Sequence, residues 1–416
     1  MSRELVNDFL VVSRYAEPPA EATVIQAFVA AGLGTPTYQS AQSVQPTEDA
    51  SAAPRTRVGT YRLSAPATSA SLRMSVTRHA RPALGDMGDG AFGQLTRRLG
   101  ADDAQTLRTG TLTFDVRLKA DEEGIADALR WAMGAARALV SLTGGVVIDP
   151  AAQTGWGGER LGALVSGPCA AHLSIHDEAW GADRRWLHTH GLQKFGRPEL
   201  DLADVPVALS GEAEAFLAEV AENLAQGQRL IAGQEIDLEE QGAVVAISVS
   251  PDAEHQAPFA RLRLADTPAH GARQGVGAGR LLAHIALTDA QRRHDVGDAD
   301  NALETIERIL AANSDDCAAL FLKAQILLER QQPHDALDLG ELMELRTPLD
   351  YRGPLMIGMA LLAIGRSREA LNALDRAIER EPEAAQAFVA RAEAYRRLGD
   401  ERLAAVDRAR AAYLGV

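Results

Sequence analysis

Lysine is almost missing from this chain. Only Lys119, Lys194 and Lys323 are lysines, and the other 39 of its 42 basic residues are arginines. With so much alanine and glycine alongside, this is the mark of GC-rich coding and carries no functional weight. Cysteine is as scarce: Cys169 and Cys317 stand far apart without metal or redox spacing, which excludes a disulfide framework and reads as two buried thiols. No run reaches the ~18 apolar residues that a membrane helix needs. The opening MSRELVNDFLVVSRYAEPP has no apolar stretch followed by a small-residue cleavage site, so no signal peptide is read there and the cytoplasm is the expected address. An excess of positive charge is lacking too. The net charge is −15, spread as 17 basic and 23 acidic residues over 283–416 and therefore 25 and 34 over 1–282. That balance argues against a grip on nucleic-acid phosphates or on a membrane surface.

What is present is an ordinary globular composition, 46% hydrophobic, on 416 residues, which is long enough for two or three domains. The clearest order is an internal period. Pro382 and Pro348 lie 34 residues apart, and a further step of 34 reaches Ser314. Blocks then begin at Ala283, Cys317, Tyr351 and Ala385. Their eighth places are Ala290, Ala324, Gly358 and Ala392, and their twentieth places Ala302, Ala336, Ala370 and Ala404. Their fifteenth places are Gly297, Gln331, Gly365 and Gly399. Small side chains at two fixed places let two antiparallel helices approach closely. Glycine at the fifteenth allows the left-handed turn that ends a helix, and proline near a block's end stops the second helix.

This pattern resembles the tetratricopeptide repeat family over 283–416, with a degenerate first block that has Asp289 and Arg293 where apolar residues are usual. The last block ends within its second helix, whose Arg402, Asp407, Arg408 and Arg410 can form a polar cap. The resemblance implies helical hairpins that bind a protein or peptide, or a second copy of the chain. Residues 1–270 read differently. DFLVVSRY, GTYRLSA, SLRMSVTR, GTLTFDVRL, GGVVIDP, CAAHLSIH, RRWLHTHG, GAVVAISVS and FARLRLAD have strand character, with helical runs at 20–32, 122–141 and 211–226 between them. The fold expected is thus an α+β domain over 1–270, a glycine-rich hinge over 271–282 and an all-α array of four hairpins over 283–416. The polar stretch 40–56 is a loop that also marks an alternative break between two subdomains. The segment WLHTHGLQKFGRPELDL resembles a motif of uncharacterised bacterial α+β domains, some loosely related to suppressor-of-fused-like proteins. That likeness covers about 140–260 and implies only a fold.

Two sets of residues are candidates for function. On the expected strand CAAHLSIH, His172 and His176 share a face, and on RRWLHTHG so do His188 and His190. With DEAWGADR as the hairpin loop, all four sit on one sheet face within reach of one metal ion, and Glu199 or Asp201 adds a carboxylate. Zinc or another divalent metal, in a metal-dependent hydrolase or a metal-stabilised domain, is therefore the alternative to a chain that needs no cofactor. The bland reading is a half-buried face with satisfied histidines. No Ser–His–Asp or Cys–His arrangement can be assembled, and the glycines of GVGAGR lack the third glycine or the lysine of a nucleotide loop, so they read as linker. The second set is the array's concave face, which the family builds from places 2, 5, 9 and 12. Phe321, Leu328, Leu355, Met359, Leu362 and Val389 are expected to make it an apolar groove, without the lysine and asparagine with which some family members clamp a carboxylate. A protein-binding adaptor is the leading reading, and no catalytic residue is assigned.

Overall fold

Alternation of exposed and buried residues runs through ELVNDFLVVS and LTFDVRLKAD, and both segments are strands. The computed structural model describes residues 3–41, 55–66, 68–238, 243–249, 261–266 and 278–415. Its first sheet comprises β1 (Glu4–Ser13), β2 (Thr37–Ser40), β3 (Arg55–Ser64), β4 (Ser71–His79), β5 (Leu112–Asp121), β6 (Val146–Asp149) and β7 (Thr154–Trp156). Their spatial order is β2-β3-β4-β5-β1-β6-β7, and every pairing is antiparallel. Four helices attend it: α1 (Glu21–Ala30), α2 (Asp89–Thr96), α3 (Ala101–Thr109) and α4 (Ile125–Thr143). The alanine-rich face of α4, with Ala128, Ala132, Met133, Ala136 and Leu139 buried, shares a core with Phe9, Val11 and Phe114. Phe92 and Leu95 of α2 and Leu107 of α3 bury Val12, Val146 and Ile148 in a separate cluster. Of the stretch 40–56 read as a loop, 42–54 lies outside the described residues; β2 before it and β3 after it pair directly, Ser40 against Gly59.

The short α5 (Leu161–Ser166) leads into a second sheet of β8 (Ser174–Ala179), β9 (Arg184–His190), β10 (Leu200–Pro206), β11 (Glu235–Leu238), β12 (Ala243–Val249) and β13 (Leu262–Asp266). Its order is β11-β12-β13-β10-β9-β8, with β10 and β13 parallel and the rest antiparallel. Helix α6 (Ser210–Ala225) covers one face, and its Ala213, Leu217, Ala221 and Leu224 join the core that holds Leu187, Leu200 and Leu202. The strand expected over CAAHLSIH is a 3-10 turn at Cys169–His172, and the strand starts only at Ser174. The reason is long-range. The Glu222 carboxylate on α6 accepts the backbone N–H groups of Cys169 and Ala170, which takes them out of any ladder.

The remainder is helical: α7 (Gly279–Asp295), α8 (Ala299–Ala312), α9 (Cys317–Glu329), α10 (Pro333–Arg346), α11 (Arg352–Ile364), α12 (Ser367–Arg380), α13 (Ala385–Leu398) and α14 (Glu401–Tyr413). At the eighth places Ala290, Ala324 and Ala392 are buried, and a Cβ on Gly358 would run into the Leu374 side chain. Ala302, Ala336, Ala370 and Ala404 at the twentieth are wholly buried. The fifteenth places are all left-handed, with φ of +87° at Gly297, +61° at Gln331, +90° at Gly365 and +85° at Gly399. Of the expected hinge, 271–277 lies outside the described residues, and α7 already begins at Gly279. Leu281, Leu282 and Ala286 of α7 and Ile306 and Ile309 of α8 bury in the same core as Leu200, Leu209 and Leu264. Arg308 Nε donates to Glu212 Oε1 at 2.9 Å across the same junction.

Two substitutions test this register. Gln331 is a side-chain-bearing residue in a backbone conformation that costs an L-residue about 1 kcal/mol, so Gln331→Gly is expected to raise the stability of the chain by about that amount in urea unfolding. A Gln331→Gly protein with an unchanged or lower midpoint contradicts the assigned turn. Ala370 has no room for three more carbons, so Ala370→Leu is expected to cost about 1–3 kcal/mol; thermal unfolding indistinguishable from the parent would put that residue outside the helix–helix seam.

Candidate functional site

The first helix of each hairpin contributes to a concave recess of about 610 Å³, lined by Gln291 of α7, Phe321 and Gln325 of α9, Tyr351 and Arg352 at the start of α11, and Gln386 of α13. Its wall mixes amide groups with two aromatic rings. The guanidinium of Arg352 is spent internally, since its Nε and Nη2 both donate to the Asp350 carboxylate, at 3.0 and 2.6 Å to the nearer oxygens. Of the residues expected to line an apolar groove, Phe321 alone is on this wall. Leu355 and Leu362 are a correction: both are buried in the array's own core with Ala370, Leu374 and Ala387. Met359 is half-buried against that core, and Leu328 is half-buried against the neighbouring one with Met343 and Met356. Val389 is 44% exposed on α13. The physical reason is that GPLMIGMALLAI is apolar all round, and α11 lies between α9, α10, α12 and α13, so nearly every side of it is interior.

The histidines divide three to one. His176 on β8 pairs directly with His188 on β9, and His190 stands two residues farther along the same face. The turn between these strands is only 180–183, shorter than the loop expected, so the pairing reaches to Ala179 and Arg185. One ligand nitrogen from each of the three rings lies within 4.8 Å of the other two. Ring centroids are 4.4 Å apart for His176 and His190, 4.9 Å for His188 and His190, and 5.5 Å for His176 and His188. Trp186 stacks on His188 with centroids 4.1 Å apart. Burial first, and then the charges of Arg97, Arg98 and Arg261, push His176 down to about 4, which keeps it neutral near pH 7.

His172 is not in this group. It is buried in the 3-10 turn, its ring edge-on to Phe195, and burial with help from Lys194 pushes it down to about 3. The two carboxylates suggested as further ligands have other work. Asp201 is fully buried opposite His188 but accepts from Trp186 Nε1 at 3.1 Å and from Arg263 Nη2 at 2.8 Å. Glu199 accepts from Thr189 Oγ1 and from the backbone N–H groups of Gly191 and Gln193, and burial pushes its carboxyl up against those bonds. Trp186 and Arg261 had no signal in the sequence as partners of the histidines. Lys194 did stand out, as one of three lysines. It is fully buried in the Leu192–Phe195 turn after β9, where its ammonium pairs with Asp149 at the end of β6 and donates to the carbonyl of His172.

Removing one member of that buried pair strands the other. Lys194→Met is expected to cost about 3–5 kcal/mol in chemical unfolding, and the double variant Asp149→Asn/Lys194→Met substantially less than the single. A double variant no more stable than Lys194→Met would mean that the pair does not hold the two sheets together.

Residues 295–377 match the family described as anaphase-promoting complex, cyclosome, subunit 3, and residues 355–414 match a tetratricopeptide repeat family. Among solved structures, a thermophilic tetratricopeptide-repeat protein of Thermus thermophilus is 26% identical over 32% of this chain and 74% of that one, with a TM-score of 0.31. MamA of strain AMB-1 is 23% identical over 32% and 78% of the two chains, with a TM-score of 0.27. MamA of Desulfovibrio magneticus RS-1 is 20% identical over 33% and 75%, with a TM-score of 0.28. No curated protein matches the chain. The family matches fall within 295–414 and lend nothing to the likeness read over 140–260.

Proposed function

Because residues 295–414 are tetratricopeptide-type repeats, a class that generally binds proteins or peptides, we propose that this protein is an adaptor whose recess along α7, α9, α11 and α13 holds a segment of a protein partner. The observation that carries the reading is the recess itself, open between the first helices of successive hairpins and floored by Phe321 and Tyr351. Gln291, Gln325 and Gln386 offer donors and acceptors along it, Arg352 is already neutralised by Asp350, and Glu383 adds one negative charge to the lining. The occupant favoured is therefore a segment without net negative charge that presents a hydrophobic anchor between backbone or amide groups. A strongly acidic tail finds no unpaired cation there and meets the carboxylate of Glu383. Among the described residues no helix is long and apolar enough to cross a membrane.

Selection of peptides from a random library against the full chain tests this. The selected peptides are expected to bind one per chain and to lose at least about tenfold in affinity, near 1.4 kcal/mol, when Phe321→Glu places a charge on the recess floor. Val389→Glu, outside that floor, is expected to leave binding intact. Peptides that bind Phe321→Glu as well as the parent, with the variant folded, would move the interaction surface elsewhere. A change of mass in solution on Phe321→Glu, with no peptide selected, would identify a second copy as the occupant.

A further inference from the structure

The face of the second sheet opposite Leu187 and Leu202 carries a cluster that the adaptor reading does not use. We propose that His176, His188 and His190 form a three-imidazole site for a late first-row divalent cation such as Zn(II), with the fourth position filled by an anionic oxygen, either hydroxide or a small oxyanion. This does not rest on the recess or on what occupies it.

The sheet fixes the geometry. His176 and His188 are cross-strand partners and His190 follows on the same pleat, so the three rings are placed by two paired strands and not by a loop. Their nitrogens lie within 4.8 Å of one another. A tetrahedral zinc with bonds of about 2.0–2.1 Å sets its ligand nitrogens about 3.4 Å apart, and small ring rotations close that difference. Accessibility is graded: His188 is buried, while His176 and His190 are half-buried, so an ion can enter from the side and still be held against a low-dielectric wall.

The surroundings are mixed in charge. Arg97, Arg98 and Arg261 face His176 and oppose a bare cation. Glu178 Oε1 lies 3.8 Å from His188 Nε2, and Asp201, the partner of His188 on the neighbouring strand, has its carboxylate engaged by Arg263 and Trp186. A divalent ion that keeps an anionic oxygen at its fourth position satisfies the arginines better than an aquo ion does, which is why that position is assigned to such a ligand. The competing account is a purely aromatic stack, in which Trp186 and the three rings pack as apolar surface.

The full chain, stripped with a chelator, separates the two. Titration with Zn(II) against a chromophoric competitor is expected to show one tight equivalent per chain, and Co(II) in its place the intense visible bands of four-coordinate cobalt. His176→Gln and His190→Gln are each expected to weaken binding by more than the ~10–100-fold that loss of an outer supporting group costs. His172→Gln is expected to keep the affinity of the parent. Zinc is also expected to raise the melting temperature of the parent but not of His190→Gln. The site is overturned if no tight equivalent binds, if the cobalt spectrum is that of a six-coordinate ion, or if folded His190→Gln binds as well as the parent. Should both variants fail to fold by circular dichroism, the cobalt spectrum of the parent decides alone.

Discussion

One ammonium group holds the two sheets in register. Lys194 and Asp149 are both essentially without solvent exposure, at 1% and 0% of their side chains. Asp149 ends β6 of the first sheet, and Lys194 sits in the turn that follows β9 of the second. The same ammonium donates to the carbonyl of His172, and the carbonyl of Lys194 accepts from Asn7 Nδ2 on β1 at 3.2 Å. The rings of Trp156 and Phe9 lie 5.6 and 6.0 Å away and exclude water. A dry ion pair of this kind contributes little net stability, because desolvation consumes most of the attraction, but any slip between the sheets leaves two charges unpaired in an apolar interior. Its value is in specifying one arrangement.

What the pair fixes, three carboxylates extend. Glu199 collects Thr189 and two backbone N–H groups, shaping the bend from β9 into the Leu192–Phe195 turn. Glu222 does the same for the turn before β8, and Asp201 receives Trp186 and Arg263 from the strands on either side. Each accepts from groups that otherwise end in an unsatisfied state, so the hairpin β8–β9 is held where β8 begins and where β9 ends. The three histidines are placed by that frame.

The array was legible from sequence because its rules are local. A buried alanine at a fixed place and a left-handed residue at another need no knowledge of the rest of the chain, and Gln331 obeys the second rule even without glycine. Most strands of 1–270 were legible from alternation or β-branched runs, whereas β2, β7, β11, α2, α3 and α5 were too short to show a period, and β10, with Asp201, Asp204 and Pro206 in LDLADVP, did not read as a strand. The groove was misread for a different reason. Spacing sets which residues share a face of α11, but not that α9 and α13 cover that face, and so Leu355 and Leu362 became core. His172 was drawn into the cluster because nothing near it in sequence announces Glu222, fifty residues on, as the group that turns its segment away from the sheet. Lys194 stands out as one of three lysines, but nothing local ties it to Asp149, 45 residues away.

In an array each hairpin is stabilised by its neighbours, so the ends are its weakest members. Here one end is not an end. Leu281, Leu282 and Ala286 of α7 are interior residues of the α+β core, so the first hairpin inherits the stability of both sheets, and in place of a free hinge the described junction is packed. At the other end α14 has exposed arginines, but Asp407, expected in its polar cap, is buried and accepts from Arg391 Nε at 2.8 Å and Nη2 at 2.9 Å, clamping α14 to α13. The recess runs from Gln291 on the anchored hairpin to Gln386 on the last one. A ligand that touches both would therefore tie the least supported hairpin to the best supported.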